Sequence, residues 1–162
     1  MKRIEAIEEI MKEITDEIVV TSCGKISREV FATKDRPLNF YVMGSMGSTL
    51  PIAIGISLCK PSKKVVVIVG DGEVLMSLGT LTLLNKLQKE QKINNLILYI
   101  LDNNSYSSTG GQPTVSDAVE FRLLCDCKVI FVEEGNSDVP RISLTPVQIK
   151  ERFMEAVKEE RK

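Results

Sequence analysis

Apolar residues follow two patterns along the chain: one is the spacing typical of helices, and the other is the continuous run typical of buried strands. Apolar side chains recur every three or four positions at the start of the chain, which predicts an amphipathic helix over the first fifteen residues. Short apolar segments predict five strands: Glu17–Thr21, Asn39–Val42, Lys64–Val69, Leu96–Leu101 and Lys128–Val132. The third and fourth are almost continuously apolar, as strands buried on both faces are.

Segments with helical spacing separate these strands. They predict helices over Ser27–Ala32, from Ser48 or Thr49 to about Leu58, over Val74–Gln88 and Asp117–Leu124, and from Thr145-Pro146 onward. Strands that alternate with helices predict an α/β fold: a three-layer, mainly parallel sheet with helices on both faces. No repeat or low-complexity linker interrupts the pattern, so we expect residues 1–162 to form a single domain.

Three polar, glycine-rich loops follow predicted strands, at Gly44–Ser48, Gly70–Glu73 and Asp102–Thr114. In an open parallel sheet, ligands bind outside the carboxyl ends of the strands, so these loops predict one common binding site. The pair Asn94-Asn95 precedes its strand and is expected at the opposite edge.

The Gly70-Asp71-Gly72 segment offers a carboxylate between two glycines. Such a carboxylate can hold a hard cation, while the glycines let backbone N–H groups approach phosphate oxygens. Taken alone, the segment is more typical of an ordinary Asp-Gly turn. Asn103, one strand later, supplies an amide oxygen, and Mg²⁺ that bridges a diphosphate needs only a few carboxylate and amide ligands.

Gly70-Asp71-Gly72, followed after 30 residues by Asn103-Asn104, resembles the diphosphate-binding domain of thiamine-diphosphate enzymes. The spacer is somewhat longer than is usual in that family, and an extra turn near residues 88–94 would account for it. The loop Gly44–Gly47 and the following Pro51–Gly55 are similar to the family's cofactor loop and helix. Within the family, three segments resemble sulfopyruvate and phosphonopyruvate decarboxylases: Gly24–Glu29, Tyr41–Gly47 and Tyr106–Thr114.

The resemblance implies a beta-type subunit of a thiamine-diphosphate-dependent 2-oxo acid decarboxylase, a carboxy-lyase acting on sulfopyruvate or phosphonopyruvate. It implies that Asp71 and Asn103 bind Mg²⁺ through their side chains and Ser105 through its backbone carbonyl. The Gly44 carbonyl would accept the cofactor's amino group, and Met46 would hold the cofactor bent for catalysis, although Met46 is also a plausible core side chain. The implied cofactor-binding set is Gly44, Ser45, Met46, Gly70, Asp71, Gly72, Glu73, Asn103, Ser105 and Tyr106.

The family's other requirement is a glutamate from a pyrimidine-binding domain, and no segment of this sequence resembles that domain. The resemblance therefore implies a pyrimidine-binding alpha-type partner, a hetero-oligomer with the site at its interface, and a small 2-oxo acid substrate. An apolar surface around Met43, Met46 and Leu50 is expected to be exposed when this partner is absent.

Two departures from the family favour an alternative, a non-catalytic or degenerate thiamine-diphosphate-binding regulatory module. Glu73 stands where the family has a small residue, and the region between Thr114 and Val132 is short. A nucleotide-binding α/β domain would explain Gly70–Gly72 but not the other loops. Lys25 and Arg28 are either solvated helix charges or the groups that recognise a phosphonate or sulfonate.

Charge and composition exclude several other classes of protein. A net charge of −1 gives no electrostatic reason to expect nucleic acid or a membrane as partner. The longest apolar run, Val65–Val69, is too short to span a bilayer, and the N-terminal segment lacks a signal-peptide core, so a cytoplasmic location is expected. The chain has no histidine, so Cys125-x-Cys127 is not expected to form a zinc site and the cysteines are expected to be reduced.

Overall fold

The computed structural model describes residues 1–133 and 138–159. Its strands are β1 (Ile18–Thr21), β2 (Asn39–Tyr41), β3 (Val65–Gly70), β4 (Leu96–Asp102), β5 (Ser105–Tyr106), β6 (Gln112–Pro113) and β7 (Lys128–Phe131). Its α-helices are α1 (Arg3–Glu13), α2 (Lys25–Lys34), α3 (Thr49–Cys59), α4 (Asp71–Met76), α5 (Gly79–Lys89), α6 (Phe121–Leu124) and α7 (Pro146–Glu159). A short 3₁₀ turn spans Ser116–Ala118.

Five of the strands form one parallel sheet in the order β2-β1-β3-β4-β7. The central strand β3 pairs on both sides, and its residues Val65–Val69 are all buried. This confirms the fold class predicted from the continuously apolar segments. The unbroken apolar character of β3 follows from its place, because both of its faces are covered by helices.

Alternate residues of β3 point into two separate cores. Val65, Val67 and Val69 pack with apolar side chains of α3 and α5, whereas Val66 and Ile68 pack with those of α1 and α2. Helix α7 lies at the β2 edge and contributes to both cores. The sheet is therefore the middle of three layers, and the carboxyl ends of its strands remain open for the loops.

Two predicted helices are shorter in the structure than expected. The helix predicted over Val74–Gln88 is two helices, α4 and α5, separated at Ser77-Leu78. The break lies where Gly47 packs: a Cβ on Gly47 would sit 3.2 Å from the Met76 Cβ. The helix predicted over Asp117–Leu124 is likewise interrupted, because Val119 and Glu120 adopt extended backbone between the 3₁₀ turn and α6.

The start of the C-terminal helix is where the sequence predicts it, at Thr145-Pro146. Proline suits the first helical turn, where its missing N–H costs no hydrogen bond. Thr145 and Gln148 form a reciprocal cap: Gln148 Oε1 accepts from the Thr145 N–H at 2.8 Å, and Thr145 Oγ1 accepts from the Gln148 N–H at 3.3 Å. The predicted end of this helix includes residues 160–162, which lie outside the described residues.

None of the helices in the described part of the chain is both long enough and apolar enough to cross a membrane. The four cysteines are present as free thiols, with Cys125 buried and Cys59 exposed.

Candidate cofactor-binding site

An acid, an amide and a backbone carbonyl converge where β3 and β4 end. Gly70 closes β3, and the next residue, Asp71, begins α4 with a side chain that is only 1% exposed. One terminal atom of the Asn103 amide lies 3.1 Å from Asp71 Oδ1 and 3.0 Å from the Ser105 carbonyl oxygen, and because both neighbours are acceptors this atom is assigned as the amide nitrogen, which donates to both. The predicted metal-binding residues are thus brought together, since β3 and β4 are neighbouring parallel strands.

The donor chemistry of this cluster fits a magnesium ion. The Asp71 carboxylate and the Ser105 carbonyl both face the Asn103 amide, and carboxylate and amide oxygens are the ligands Mg²⁺ prefers. Rotating the Asn103 amide by 180° would turn its oxygen toward the same two neighbours, so that all three oxygens could bind a cation placed between them. Residues 1–133 and 138–159 contain no cluster of three His, Cys, Asp or Glu that would offer another metal site.

Burial raises the pKa of Asp71 above its ordinary value. The Thr114 hydroxyl, which donates to Asp71 Oδ2 at 2.5 Å, opposes this rise, and the Asp102 carboxylate adds to it. Two carboxylates near each other in a buried site favour a bound cation, because a positive charge stabilises both ionised forms. Asp102 itself accepts a hydrogen bond from Ser116 Oγ at 2.8 Å.

A cleft of about 220 Å³ opens beside this oxygen cluster. It is lined by most of the predicted cofactor-binding residues, namely Met46, Gly70, Asp71, Gly72, Glu73, Asn103, Ser105 and Tyr106. Gly44 and Ser45 do not line it and lie in the exposed loop next to it. The three loops predicted to share a site therefore do meet at one edge of the sheet.

Lys25, which the sequence indicates either as a solvated helix charge or as a substrate-recognition group, lines the same cleft. Its ammonium donates to the Ser107 carbonyl at 2.9 Å, so α2 is tied to the loop between β5 and β6. Gly24, just before α2, has φ of +79°, and a Cβ there would lie 2.9 Å from Ser108 Oγ. Glycine at this position is the one sequence signal for the close approach of the two segments.

Glu73 lines the cleft, but its carboxylate is held by the first residue of α3. Oε1 accepts from the Thr49 hydroxyl at 2.7 Å and from the Thr49 N–H at 3.3 Å, and the side chain is 4% exposed. The charge thus sits at the start of a helix, where a carboxylate is stabilised. Burial raises the pKa of the nearby Cys23 thiol, and the Glu73 carboxylate raises it further.

The loop Gly44–Ser48 turns sharply, with positive φ at Gly44 (+72°), Ser45 (+49°) and Gly47 (+92°). This conformation leaves the Met46 side chain exposed at the cleft, 43% accessible, and Met43 similarly exposed beside it. Leu50, which we expected in the same exposed surface, is 3% accessible and packs in the core under α3. That part of the prediction is wrong, because Leu50 is the second residue of α3 and lies on its buried face.

A parallel sheet with a glycine-lined cleft and converging oxygens at its carboxyl edge defines a cofactor-binding α/β domain. The model of the C-terminal TPP-binding domain of thiamine pyrophosphate enzymes matches residues 22–130. The beta subunit of sulfopyruvate decarboxylase from Methanothermobacter thermautotrophicus is 36% identical over 98% of this chain and 96% of that protein. The corresponding beta subunit of Methanocaldococcus jannaschii is 35% identical over 97% of each.

Phosphonopyruvate decarboxylase of Streptomyces viridochromogenes is 42% identical over 73% of this chain, but the match covers only 29% of that protein. Among solved structures, benzoylformate decarboxylase from Polynucleobacter necessarius superposes with a TM-score of 0.56 at 19% identity, over 98% of this chain and 31% of that one. This likeness confirms the fold. The chain belongs to the thiamine pyrophosphate enzyme family, as a C-terminal TPP-binding domain, and within it to the decarboxylases that have a separate beta subunit.

Proposed function

We propose that this chain is the diphosphate-binding beta subunit of a decarboxylase that acts on a three-carbon 2-oxo acid carrying a sulfonate or phosphonate. The convergence of the Asp71 carboxylate, the Asn103 amide and the Ser105 carbonyl beside the cleft carries the proposal. The nearly full-length similarity to sulfopyruvate decarboxylase beta subunits supports the substrate class. The cytoplasmic location and single-domain organisation expected from the sequence stay predictions.

Mg²⁺ would be held by Asp71 Oδ1, the Asn103 amide oxygen and the Ser105 carbonyl oxygen, which leaves its other positions for diphosphate oxygens and water. Lys25 adds a positive charge to the same cleft, so the diphosphate would meet cations on two sides. The Glu73 carboxylate accepts hydrogen bonds from Thr49 at the start of α3, which offsets part of its repulsion of a diphosphate. This contact supports a functional site over a degenerate module.

When bound, thiamine diphosphate supplies the carbon nucleophile and the electron sink that 2-oxo acid decarboxylation needs. This chain would hold the cofactor in position for the reaction. Asp71 and Asn103 would anchor one end of the cofactor through the metal, and the exposed Met46 would support its middle from the Gly44–Ser48 loop. The Gly44 carbonyl would orient the amino group of the pyrimidine ring.

The proposal includes a pyrimidine-binding alpha-type partner that completes the site, so that the active enzyme is a hetero-oligomer. Met43 and Met46 are both more than two-fifths exposed beside the cleft. Large apolar side chains grouped at the mouth of a polar cleft are typical of a surface that another chain covers. The names of the full-length relatives, as beta subunits, agree with this arrangement.

Cofactor binding tests the metal assignment. We expect calorimetry to show magnesium-dependent binding of thiamine diphosphate that is weak for this chain alone and stronger with the partner present. Asp71→Ala should abolish the magnesium dependence, whereas Asp117→Ala, which removes an exposed carboxylate outside the cleft, should retain it. Equal binding by wild type and Asp71→Ala, with and without Mg²⁺, would show that the metal assignment is wrong.

Turnover tests the chemistry. The complex with its partner, loaded with thiamine diphosphate and Mg²⁺, should release carbon dioxide from sulfopyruvate or phosphonopyruvate and leave the corresponding aldehyde. Pyruvate serves as the comparison substrate, because it lacks the second anionic group. If the loaded complex turns over none of the three acids, the decarboxylase proposal fails and the non-catalytic binding module takes its place.

Met46→Ala tests whether the Met46 side chain sets the conformation of the bound cofactor or contributes to its affinity. We expect kcat to fall by roughly tenfold or more while the cofactor's dissociation constant changes little, because the side chain supports geometry rather than the diphosphate. Met154→Ala, which shortens a similarly exposed methionine on α7, is the control and should alter neither quantity. A parallel loss of affinity and turnover in Met46→Ala would contradict this role.

A further inference from the structure

A second cleft, of about 310 Å³, adjoins the cofactor cleft. The two share Gly24 at the start of α2, and the second cleft is bordered by Gly44 of the cofactor loop. Two arginines line it, Arg28 from α2 and Arg141 from the segment that precedes α7. No carboxylate is among its described lining residues.

Both guanidinium groups lack a protein partner within residues 1–133 and 138–159. The four other arginines of this described part each donate a hydrogen bond: Arg3 to Glu29, Arg36 to the Glu17 carbonyl, Arg122 to the Val129 carbonyl and Arg152 to Asp35. Arg28 is half-buried, so its charge is partly withdrawn from water without compensation from a neighbouring acid. Arg141 is exposed at the edge of the same cleft, and two cations without a neighbouring acid favour an anionic ligand.

The surroundings of the two arginines also fit a small, strongly charged group. Val42, Met43 and Ile142 form the apolar part of the cleft wall, and Ser27 contributes a hydroxyl-bearing residue. Apolar walls reduce screening by water and so strengthen an ion pair inside the cleft. Guanidinium groups bind tetrahedral oxyanions through two oxygens at once, which suits a sulfonate or a phosphonate.

We infer that Arg28 and Arg141 bind the sulfonate or phosphonate group of the substrate. The inference rests on the proposed function, which puts the cofactor's amino group, and hence its reacting end, at Gly44. In a three-carbon substrate of this kind the anionic group is one methylene away from the ketone carbon. A cleft beside Gly44 is therefore where that group would lie when the ketone meets the cofactor.

The structure also separates the two cations that the sequence left as joint candidates. Lys25 lines the cofactor cleft and bonds Ser107, whereas Arg28, almost one turn later in α2, lines the second cleft. Lys25 is thus assigned to the diphosphate and Arg28 to the substrate. Arg141 joins Arg28 from a segment more than one hundred residues later in the sequence.

The test uses the complete complex with its partner chain, loaded with thiamine diphosphate and Mg²⁺. We expect Arg28→Gln and Arg141→Gln each to lower kcat/KM for sulfopyruvate or phosphonopyruvate by roughly tenfold or more, the effect of losing a hydrogen bond to a charged group. The ratio of kcat/KM for these acids to that for pyruvate should fall by a similar factor. Arg28→Lys should retain part of the preference, because it keeps the charge but not the paired donors. Lys89→Gln, which removes an exposed charge at the end of α5, should leave the ratio unchanged.

A binding measurement that needs no turnover accompanies the kinetics. Sulfoacetate and phosphonoacetate, titrated separately into the loaded complex by calorimetry, should bind to wild type and at least tenfold more weakly to either glutamine variant, while thiamine diphosphate binding stays intact. The two probes show which anion the site prefers. Equal probe binding by wild type and both variants would overturn the inference even if decarboxylation is observed. Probe binding that depends on the arginines in a complex without turnover would uphold the anion site and reject the proposed reaction.

Discussion

At the scale of single residues, Gly72 shows how a close approach determines residue type. A Cβ at this position would lie 2.5 Å from Cε1 of Tyr106, well inside contact distance. The backbone of Gly72 is helical and has no positive φ, so conformational freedom is not the reason for glycine. The Tyr106 ring packs directly over the residue that follows the proposed metal ligand Asp71.

Gly72→Ala should destabilise the protein by about 1–3 kcal/mol, the usual cost of forcing an extra methyl into a packed site. In a Tyr106→Ala background the same change should be neutral or slightly stabilising, because alanine is the better helix former. Gly79→Ala is the matched control: it is also helical, and a Cβ there meets nothing within 4 Å. Urea unfolding of the four variants measures the coupling, and equal effects of Gly72→Ala in both backgrounds would contradict the steric explanation.

The predicted site residues that the structure brings together include those that directly follow strands. Asp71 and Asn103 meet because β3 and β4 are neighbours, and this order follows from the alternation of strands and helices. Asn95 was expected at the opposite edge, and it does bond the Lys60 and Lys63 carbonyls before β4. The hydrogen bond from Thr114 to Asp71 was not predictable, because it depends on how the irregular loop before Thr114 folds back toward α4.

At the scale of elements, α1 and α2 are joined by a buried ion pair. Arg3 donates to both carboxylate oxygens of Glu29 at 2.8 Å, and the two side chains are 8% and 1% exposed. Arg3 also lines the cofactor cleft. The pair therefore fixes α1 against the helix that carries Lys25 and Arg28.

Arg3→Met should cost about 3–5 kcal/mol, because it leaves the Glu29 carboxylate buried without a partner. Adding Glu29→Leu should recover most of this loss, since an apolar pair of similar volume has no charge to desolvate. Asp16→Ala, which breaks the surface pair with Lys63, is expected to cost far less than Arg3→Met, because water screens an exposed pair. Thermal and urea unfolding of these variants provide the comparison, and a small effect of Arg3→Met alone would argue against a tight pair.

The sequence predicted the elements with strong periodicity and failed where tertiary packing interrupts it. Strand β3 and helix α3 are close to their predicted bounds, because the composition of these two segments is compatible with few other secondary structures. The break between α4 and α5 was missed, since Ser77 and Leu78 carry no proline and the apolar spacing continues across them. The short strands β5 and β6 were missed for a similar reason, because each has only two residues.

At the scale of the whole molecule, one side of the cofactor cleft is rich in exposed methionine. Met43, Met46 and Met76 are 46%, 43% and 57% exposed, and Met76 packs beside Gly47 of the same loop. Methionine side chains are flexible and adapt to an irregular partner surface. Sequence spacing pointed to the first two methionines but not to Met76, which joins them only because α4 ends early.

The isolated chain should therefore self-associate at high concentration or bind a hydrophobic dye, and the alpha-type partner should suppress both effects. Met43→Gln combined with Met76→Gln should reduce self-association, while Leu123→Gln, an exposed apolar position on α6, should reduce it much less. Analytical ultracentrifugation over a range of concentrations is the measurement. A strictly monomeric wild type without dye binding would show that this methionine-rich surface does not need to be buried by another chain.

Helix α7 follows the sheet in the sequence but packs at its β2 edge. There the Phe153 ring packs at a tilt against Phe40, with 5.1 Å between ring centroids, and Arg152 donates hydrogen bonds to Asp35. Arg152 and Asp35 are 117 positions apart. At ribosomal speeds of roughly 5–20 residues per second, β2 is synthesised on the order of ten seconds before α7, the helix that covers it. During that interval the nascent chain presents an apolar sheet edge to the crowded cell, so shielding by a chaperone is most valuable for this protein before α7 leaves the ribosome.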